Sequence, residues 1–213
     1  SKERATSPWS SEVWECDYDG YNAHQVTHEG NFCVTPTYLP PKPGYQTSGF
    51  FYVSYRQGQP KIYVASLQNG SGRRFSPLRG NQLMPCVSAN RDKIAFIADS
   101  AGNPDVYLYQ YNPSIGAIGK PKQVFSSNRG AQGTPVFSPD AKKLAFVSNK
   151  DGSPRIYIID LLEEESVEKQ RSVQEILITK KNRENTSPSW SPDGRKLAYS
   201  TKVGSVRQIW YYD

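Results

Sequence analysis

One pattern returns roughly every fifty residues, and a repeat of that length decides the architecture before any single element is read. Gly133-Thr134-Pro135-Val136-Phe137-Ser138-Pro139-Asp140 precedes Lys143-Leu144-Ala145-Phe146-Val147-Ser148. It returns as Thr186-Ser187-Pro188-Ser189-Trp190-Ser191-Pro192-Asp193-Gly194 before Arg195-Lys196-Leu197-Ala198-Tyr199-Ser200. Weaker copies are Met84-Pro85-Cys86-Val87-Ser88-Ala89-Asn90 before Lys93-Ile94-Ala95-Phe96, and Thr35-Pro36-Thr37-Tyr38 before Gly49-Phe50-Phe51-Tyr52. The leading prolines Pro36, Pro85, Pro135 and Pro188 stand 49, 50 and 53 residues apart. A second motif keeps step with the first: Ile62-Tyr63-Val64, Val106-Tyr107-Leu108, Ile156-Tyr157-Ile158 and Ile209-Trp210-Tyr211, with Val13-Trp14-Glu15 near the start.

Each repeat reads as four short strands, a to d. Strand a is expected to begin just after the leading proline. Ser-Pro-Asp-Gly then turns the chain: proline presets φ, Asp bonds nearby backbone, and Gly tolerates the closing geometry. Strands b and c are apolar on both faces, which suits strands covered on both sides. Tyr63, Tyr107, Tyr157 and Trp210 recur at one position, so they read as packing between sheets. The fold class is all-β, a β-propeller of four-stranded antiparallel blades. A two-sheet sandwich is the alternative. Residues 11–27 supply strands c and d and residues 188–212 supply a, b and c. The expectation is seventeen strands, in three complete and two partial blades. The chain thus reads as a single propeller over 1–213, a fragment of a larger ring. Residues 161–174 interrupt the period with Glu163-Glu164-Glu165 and read as a solvated hairpin extension with a helical turn.

Composition agrees. With 16 Gly and 16 Pro against one Met, a helical bundle is excluded, while 4 Trp, 14 Tyr and 8 Phe supply a core. No apolar run approaches the roughly 18 residues of a membrane-spanning helix. The net charge of +6 is scattered, with no basic stripe, so no nucleic-acid site is read. The first eight residues lack an apolar stretch, so a signal peptide is either absent or already removed.

The pattern [Thr/Ser]-Pro-x-[Trp/Phe]-Ser-Pro-Asp-[Gly/Ala]-x-Lys-Leu-Ala-[Phe/Tyr]-x-Ser resembles the WD40-like repeat of the TolB β-propeller family. It is strongest in the last two copies, and Leu39-Pro40-Pro41-Lys42-Pro43-Gly44 replaces its turn in the weakest. The resemblance implies a six-bladed propeller preceded by an N-terminal α/β domain that these residues do not include. It also implies a periplasmic, non-enzymatic role in the Tol–Pal system, which supports outer-membrane integrity and cell division. The implied partners are the lipoprotein Pal, other Tol-system proteins and colicin-like peptides. Related repeats occur in propellers of prolyl-oligopeptidase-like hydrolases, where the propeller gates substrate, and that is the alternative. A carbohydrate or nucleic-acid binder using the +6 charge is a third reading.

The loops from strand d to the next strand a are expected to line one mouth of the channel: 28–35, 78–84, 128–134 and 181–187. By the family resemblance, partner contacts fall in the few residues before each leading proline: Asn31, Phe32, Val34, Asn81, Gln82, Leu83, Arg129, Gln132, Gly133, Arg183, Asn185 and Thr186. Amides and guanidinium groups there offer donors to an extended peptide or a carboxylate. Cys16, His24, His28 and Cys33 lack the close Cys pair of a structural zinc site, and the cysteines read as small buried hydrophobes. Ser138 and Ser191 read as turn residues rather than nucleophiles. No metal or cofactor is expected.

Overall fold

The computed structural model describes residues 9–41, 49–112, 116–161, 173–175 (backbone only) and 184–213. Seventeen strands lie among them, in five antiparallel sheets. The first sheet is β1 (Trp14–Glu15) and β2 (His24–Gln25). The second is β3 (Cys33–Tyr38), β4 (Gly49–Ser54), β5 (Lys61–Ser66) and β6 (Arg73–Arg74). The third is β7 (Gln82–Val87), β8 (Lys93–Ala98), β9 (Asp105–Asn112) and β10 (Gly116–Phe125). The fourth is β11 (Gln132–Phe137), β12 (Lys143–Ser148), β13 (Arg155–Asp160) and β14 (Val173–Glu175). The fifth is β15 (Asn185–Trp190), β16 (Leu197–Val203) and β17 (Val206–Tyr212). Each full sheet is a simple meander in sequence order. Of the expected hairpin extension, residues 162–172 lie outside the described residues, and Val173–Glu175 pair with β13 as a fourth strand.

The apolar faces of the second strands explain the stacking. Phe50 and Tyr52 pack with Val13 and Val26, which flank the strands of the first sheet, whereas Phe51 and Val53 pack with Ile94 and Phe96 of the third. Ala95 and Ile97 then meet Leu144 and Phe146 of the fourth sheet. Ala145 and Ile156 meet Leu197 and Tyr199 of the fifth. Every core cluster thus lies between two consecutive sheets, as in a propeller, and no sheet could bury both faces alone. The recurring aromatics are cross-strand partners: Tyr52 faces Tyr63, Phe96 faces Tyr107, Phe146 faces Tyr157, and Tyr199 faces Trp210.

The a–b turns close as their residues require. Ser138 Oγ accepts the Lys143 N–H at 2.9 Å and donates to Asp140 at 2.5 Å, and Ser191 repeats both bonds with Lys196 and Asp193. Ser88 does the same with Lys93, but its carboxylate is Asp92, two residues later than the repeat predicts. Hydrogen bonding by these serines holds the carboxyls of Asp140 and Asp193 below the ordinary range. Among the described residues no helix is long and apolar enough to cross a membrane.

One boundary differs from expectation. Strands a begin three residues before their leading prolines, at Cys33, Gln82, Gln132 and Asn185, not after them. The cysteines differ too: Cys33 is buried and Cys86 partly so, but Cys16 is exposed.

Candidate partner-docking face

Strand a carries a bulge in every repeat. Thr35-Pro36 oppose the single residue Tyr52, Met84-Pro85 oppose Phe96, Thr134-Pro135 oppose Phe146, and Ser187-Pro188 oppose Tyr199. The residue before each proline has positive φ: 48° at Thr35, 52° at Met84, 43° at Thr134 and 55° at Ser187. The proline lies where the ladder skips, so its missing N–H removes no pairing. Strands β3, β7, β11 and β15 lie side by side in that order. Met84 Sδ accepts the Thr134 N–H at 3.1 Å, which ties two neighbouring bulges together.

This geometry divides the twelve predicted contact residues. Gln82, Gln132 and Asn185 were placed in loops, but they are the buried first residues of strands a. Their N–H groups donate to the carbonyls of Pro60, Pro104 and Pro154 in the b–c turn of the preceding sheet, at 2.9, 3.0 and 2.9 Å. Gln82 Nε2 also donates to the Leu78 carbonyl at 2.7 Å. The Gln132 amide nitrogen faces Asp105 and the Pro104 carbonyl, while its oxygen accepts from Ser148 Oγ. Burial pushes the Asp105 carboxyl up, against the hydrogen bonds it accepts from the Ser127 N–H and Gln123 Nε2. These three residues are corrected from contact surface to buried strand ends, whose backbone N–H groups fasten each blade to the preceding one.

Asn81 is partly committed in the same way. Its backbone N–H and its amide both donate to the Asp99 carboxylate, at 2.6 and 2.8 Å. Val34 and Leu83 are half-buried against the core between the second and third sheets. Gly133 and Thr186 are half-buried on strands a. Arg183 lies outside the described residues. The accessible set is therefore Phe32 and Arg129, with Asn31 half-buried beside Phe32. Phe32 is 44% exposed and meets Tyr55 edge-on with ring centroids 6.2 Å apart. Arg129 is exposed, on the connector into β11.

Sequence reasoning missed what holds Asn31 and Phe32 in place. Glu29, on the same connector, accepts from Tyr52 Oη at 2.6 Å, from Arg56 Nη1 at 3.0 Å and from Ser54 Oγ. Arg56 lies 3.8 Å over the Tyr63 ring and donates to the Gly72 carbonyl at 2.6 Å. Burial and the Glu29 charge push the Cys33 thiol up to about 12. A polar cavity of ≈ 390 Å³ opens beside this cluster, lined by His28, Glu29, Arg56 and residues 69–72. The sequence signal was an acid in the connector, and of the other three connectors only the last carries one, Glu184, whose partners Lys202 and Arg207 are of a different kind.

The chemistry available is recognition by apolar and donor groups. Ser138 and Ser191 sit at the far ends of strands a, bound to turn carboxylates. His24 faces Glu15 and the Asn22 carbonyl, and Cys33 faces Glu29, so the Cys–His quartet is divided among separate partners.

The family model described as the TolB beta propeller domain matches residues 115–213. "Protein TolB homolog" of Protochlamydia amoebophila is 55% identical over 204 residues, covering 96% of this chain and 43% of that protein. "Protein TolB homolog" of Chlamydia felis is 46% identical over 115 residues, 54% of this chain and 26% of that protein. The chain thus spans less than half the length of either relative. The crystal structure of TolB from Acinetobacter baumannii superposes with a TM-score of 0.71 at 24% identity, covering 95% of this chain and 46% of that one. A puromycin-hydrolyzing peptidase of Mycobacterium tuberculosis superposes at 0.67 with 15% identity, covering 95% of this chain and 32% of that one.

Proposed function

This chain is a TolB-like β-propeller protein, and from that premise we propose that it docks the lipoprotein Pal on the d–a face, in the periplasm, as part of a Tol–Pal system. The observation that carries the reading is 55% identity to a TolB homolog over almost the whole chain. The geometry supports it: the repeated bulge fixes strands a, and the connectors leading into them present Phe32 and Arg129 outward. An exposed aromatic and an arginine are the residue types that concentrate binding energy. The role is non-catalytic. The likeness to a peptidase propeller, at 15% identity, concerns the fold alone.

The test is calorimetry with the soluble part of Pal. The unmodified chain binds, and Phe32→Ala or Arg129→Ala weakens binding by about 1–2 kcal/mol, roughly tenfold. Unchanged affinity in both folded variants would remove this face from the interface. Binding of a colicin-derived peptide in competition with Pal would place both partners on it.

A further inference from the structure

Two connectors on the d–a face repeat one charge. Arg79-Gly80-Asn81 runs into β7 at Gln82, and Arg129-Gly130-Ala131 runs into β11 at Gln132, so each arginine stands three residues before its strand. The same clamp holds both. The Asn81 N–H donates to Asp99 Oδ1 at 2.6 Å, and the Ala131 N–H donates to Asn149 Oδ1 at 2.7 Å. In return the Asp99 and Asn149 N–H groups donate to the Asn81 and Ala131 carbonyls, each at 3.3 Å. Glycine permits the approach: a Cβ on Gly80 would lie 2.1 Å from Asp99 Oδ1, and one on Gly130 would lie 2.6 Å from Asn149 Oδ1. The b–c turn 99–104 joins the two connectors. Its first residue holds the Asn81 connector. Its end holds the other, with Asn103 Nδ2 donating to the Ser127 carbonyl at 3.4 Å and the Gln132 N–H donating to the Pro104 carbonyl at 3.0 Å. Between those ends Ser100, Ala101 and Gly102 are exposed, small and uncharged. Arg79 and Arg129, both exposed, therefore flank one stretch of small residues.

Among the described residues neither guanidinium has an ion pair or a hydrogen bond. More positive charge lies beneath the first connector. Lys61, 6% exposed, donates from Nζ to the Gly80 carbonyl, and Arg74 donates to the Ser76 and Leu78 carbonyls at 3.1 and 2.9 Å. Burial, then the Arg74 charge, pushes the Lys61 ammonium down. The two acids at the turn are committed. Asp99 accepts from the Asn81 N–H and amide at 2.6 and 2.8 Å, and Asp105, 3% exposed, accepts from Gln123 and Ser127 at 2.7 and 3.2 Å. In the next b–c turn Lys150 and Asp151 pair with each other at 2.6 Å. The charge left open to solvent on this part of the face is therefore positive, and it calls for a negative partner.

We propose that Arg79 and Arg129 anchor an acidic segment of the protein partner docked on the d–a face, each guanidinium taking one carboxylate. This rests on the d–a face being the docking surface, as proposed above, and names the chemistry that the face selects. A guanidinium fork binds a carboxylate through two parallel hydrogen bonds. Two forks separated by a turn fit acidic side chains spaced along an extended chain better than they fit a single anion. The small residues between them let that chain come close.

The probe is acetylated hexaglutamate amide, titrated into the whole isotope-labelled chain and followed by the arginine Nε–H NMR signals. Those of Arg79 and Arg129 should move together and saturate, while that of Arg73 on β6 stays in place. Arg79→Gln and Arg129→Gln should each weaken binding about threefold or more, and Lys120→Gln on β10 should not. Added sodium chloride should weaken the parent more than either arginine variant. Equal affinity in the parent and Arg79→Gln, or shifts centred away from these two signals, would overturn the anchors. The soluble part of Pal separates this inference from the reading beneath it. If Phe32→Ala weakens Pal but Arg79→Gln does not, the docking face stands and the acidic anchor fails. If Pal does not bind and hexaglutamate does, the acid-selective face stands and Pal is not its partner.

Discussion

Replacing Glu29 with alanine tests whether the connector carrying Asn31 and Phe32 is held by one carboxylate. The side chain is 10% exposed and accepts from Tyr52, Ser54 and Arg56. Tyr52 and Ser54 are fully buried, and water entering from the adjoining polar cavity replaces the lost acceptor only in part. Hydrogen bonds to a charged group contribute roughly 1.5–3 kcal/mol each, and the two together are taken at the low end, about 3 kcal/mol. Arg56 is a third exposed and keeps both the Tyr63 ring and the Gly72 carbonyl, so solvent screening leaves its share at about 0.5 kcal/mol. The expected loss is about 3 kcal/mol, which for a chain of this size lowers Tm by roughly 6–12 °C. Thermal melts followed by circular dichroism read the loss. A double-mutant cycle with Tyr52→Phe assigns it, because removing the hydroxyl as well leaves nothing there unsatisfied, and about 1–2 kcal/mol of coupling is expected. A loss under about 1 kcal/mol, or strict additivity in the cycle, would refute the argument.

Two further outcomes follow from the turns. Asp140 titrates below the ordinary 3.8 because Ser138 Oγ and the Lys142 N–H bond its charged form. A folded pKa below the unfolded one gives stability that is complete above the unfolded value and is lost as pH falls through the folded one. Urea midpoints should therefore drop between pH 5 and pH 3, and the drop should shrink in Ser138→Ala; equal slopes in the two proteins would exclude the mechanism. Gly70 and Gly20 both have positive φ, at +60° and +87°, but a Cβ on Gly70 would lie 1.8 Å from the Val26 carbonyl oxygen, whereas one on Gly20 meets nothing within 4 Å. Gly20→Ala should cost about 1–2 kcal/mol, the backbone term alone, and Gly70→Ala more than about 4 kcal/mol or no folded protein; similar melts for the two would contradict the close approach.

The fold was legible because hydropathy alone specifies which strands are covered on both sides. Phe50-Phe51-Tyr52-Val53 has no polar residue to turn outward, so a neighbour is required on each face, and the structure supplies one on each. The turn chemistry was legible for the same local reason, since Ser, Asp and Gly act on backbone within five residues. The proposed docking face was legible only in part. Gln82, Gln132 and Asn185 are polar residues in front of a proline, and a sequence gives them the same weight as an exposed loop residue. Their burial depends on carbonyls of Pro60, Pro104 and Pro154, each about thirty residues or less upstream, in a different sheet. Glu29 was invisible for the complementary reason. Besides the nearby Cys33 thiol, its partners are 23 to 27 residues away and belong to one sheet only, so no periodicity announces them.

The bulges bear on how a partner would be recognised. A non-glycine residue at positive φ costs about 1–2 kcal/mol, hence roughly 4–8 kcal/mol over Thr35, Met84, Thr134 and Ser187. Net stabilities of whole domains are about 5–15 kcal/mol, so this strain persists only where both flanks are fixed. They are: upstream, in the last three repeats, by the bond to the preceding b–c turn, and downstream in all four by the resumed ladder. Aromatic side chains opposite each bulge, Tyr52, Phe96, Phe146 and Tyr199, are all nearly or fully buried and close the remaining freedom. The proposed docking residues Phe32 and Arg129 therefore stand on short connectors that lead into rigid strand. Little ordering is needed when a partner arrives, so affinity lost in Phe32→Ala or Arg129→Ala should appear in dissociation, with association nearly unchanged.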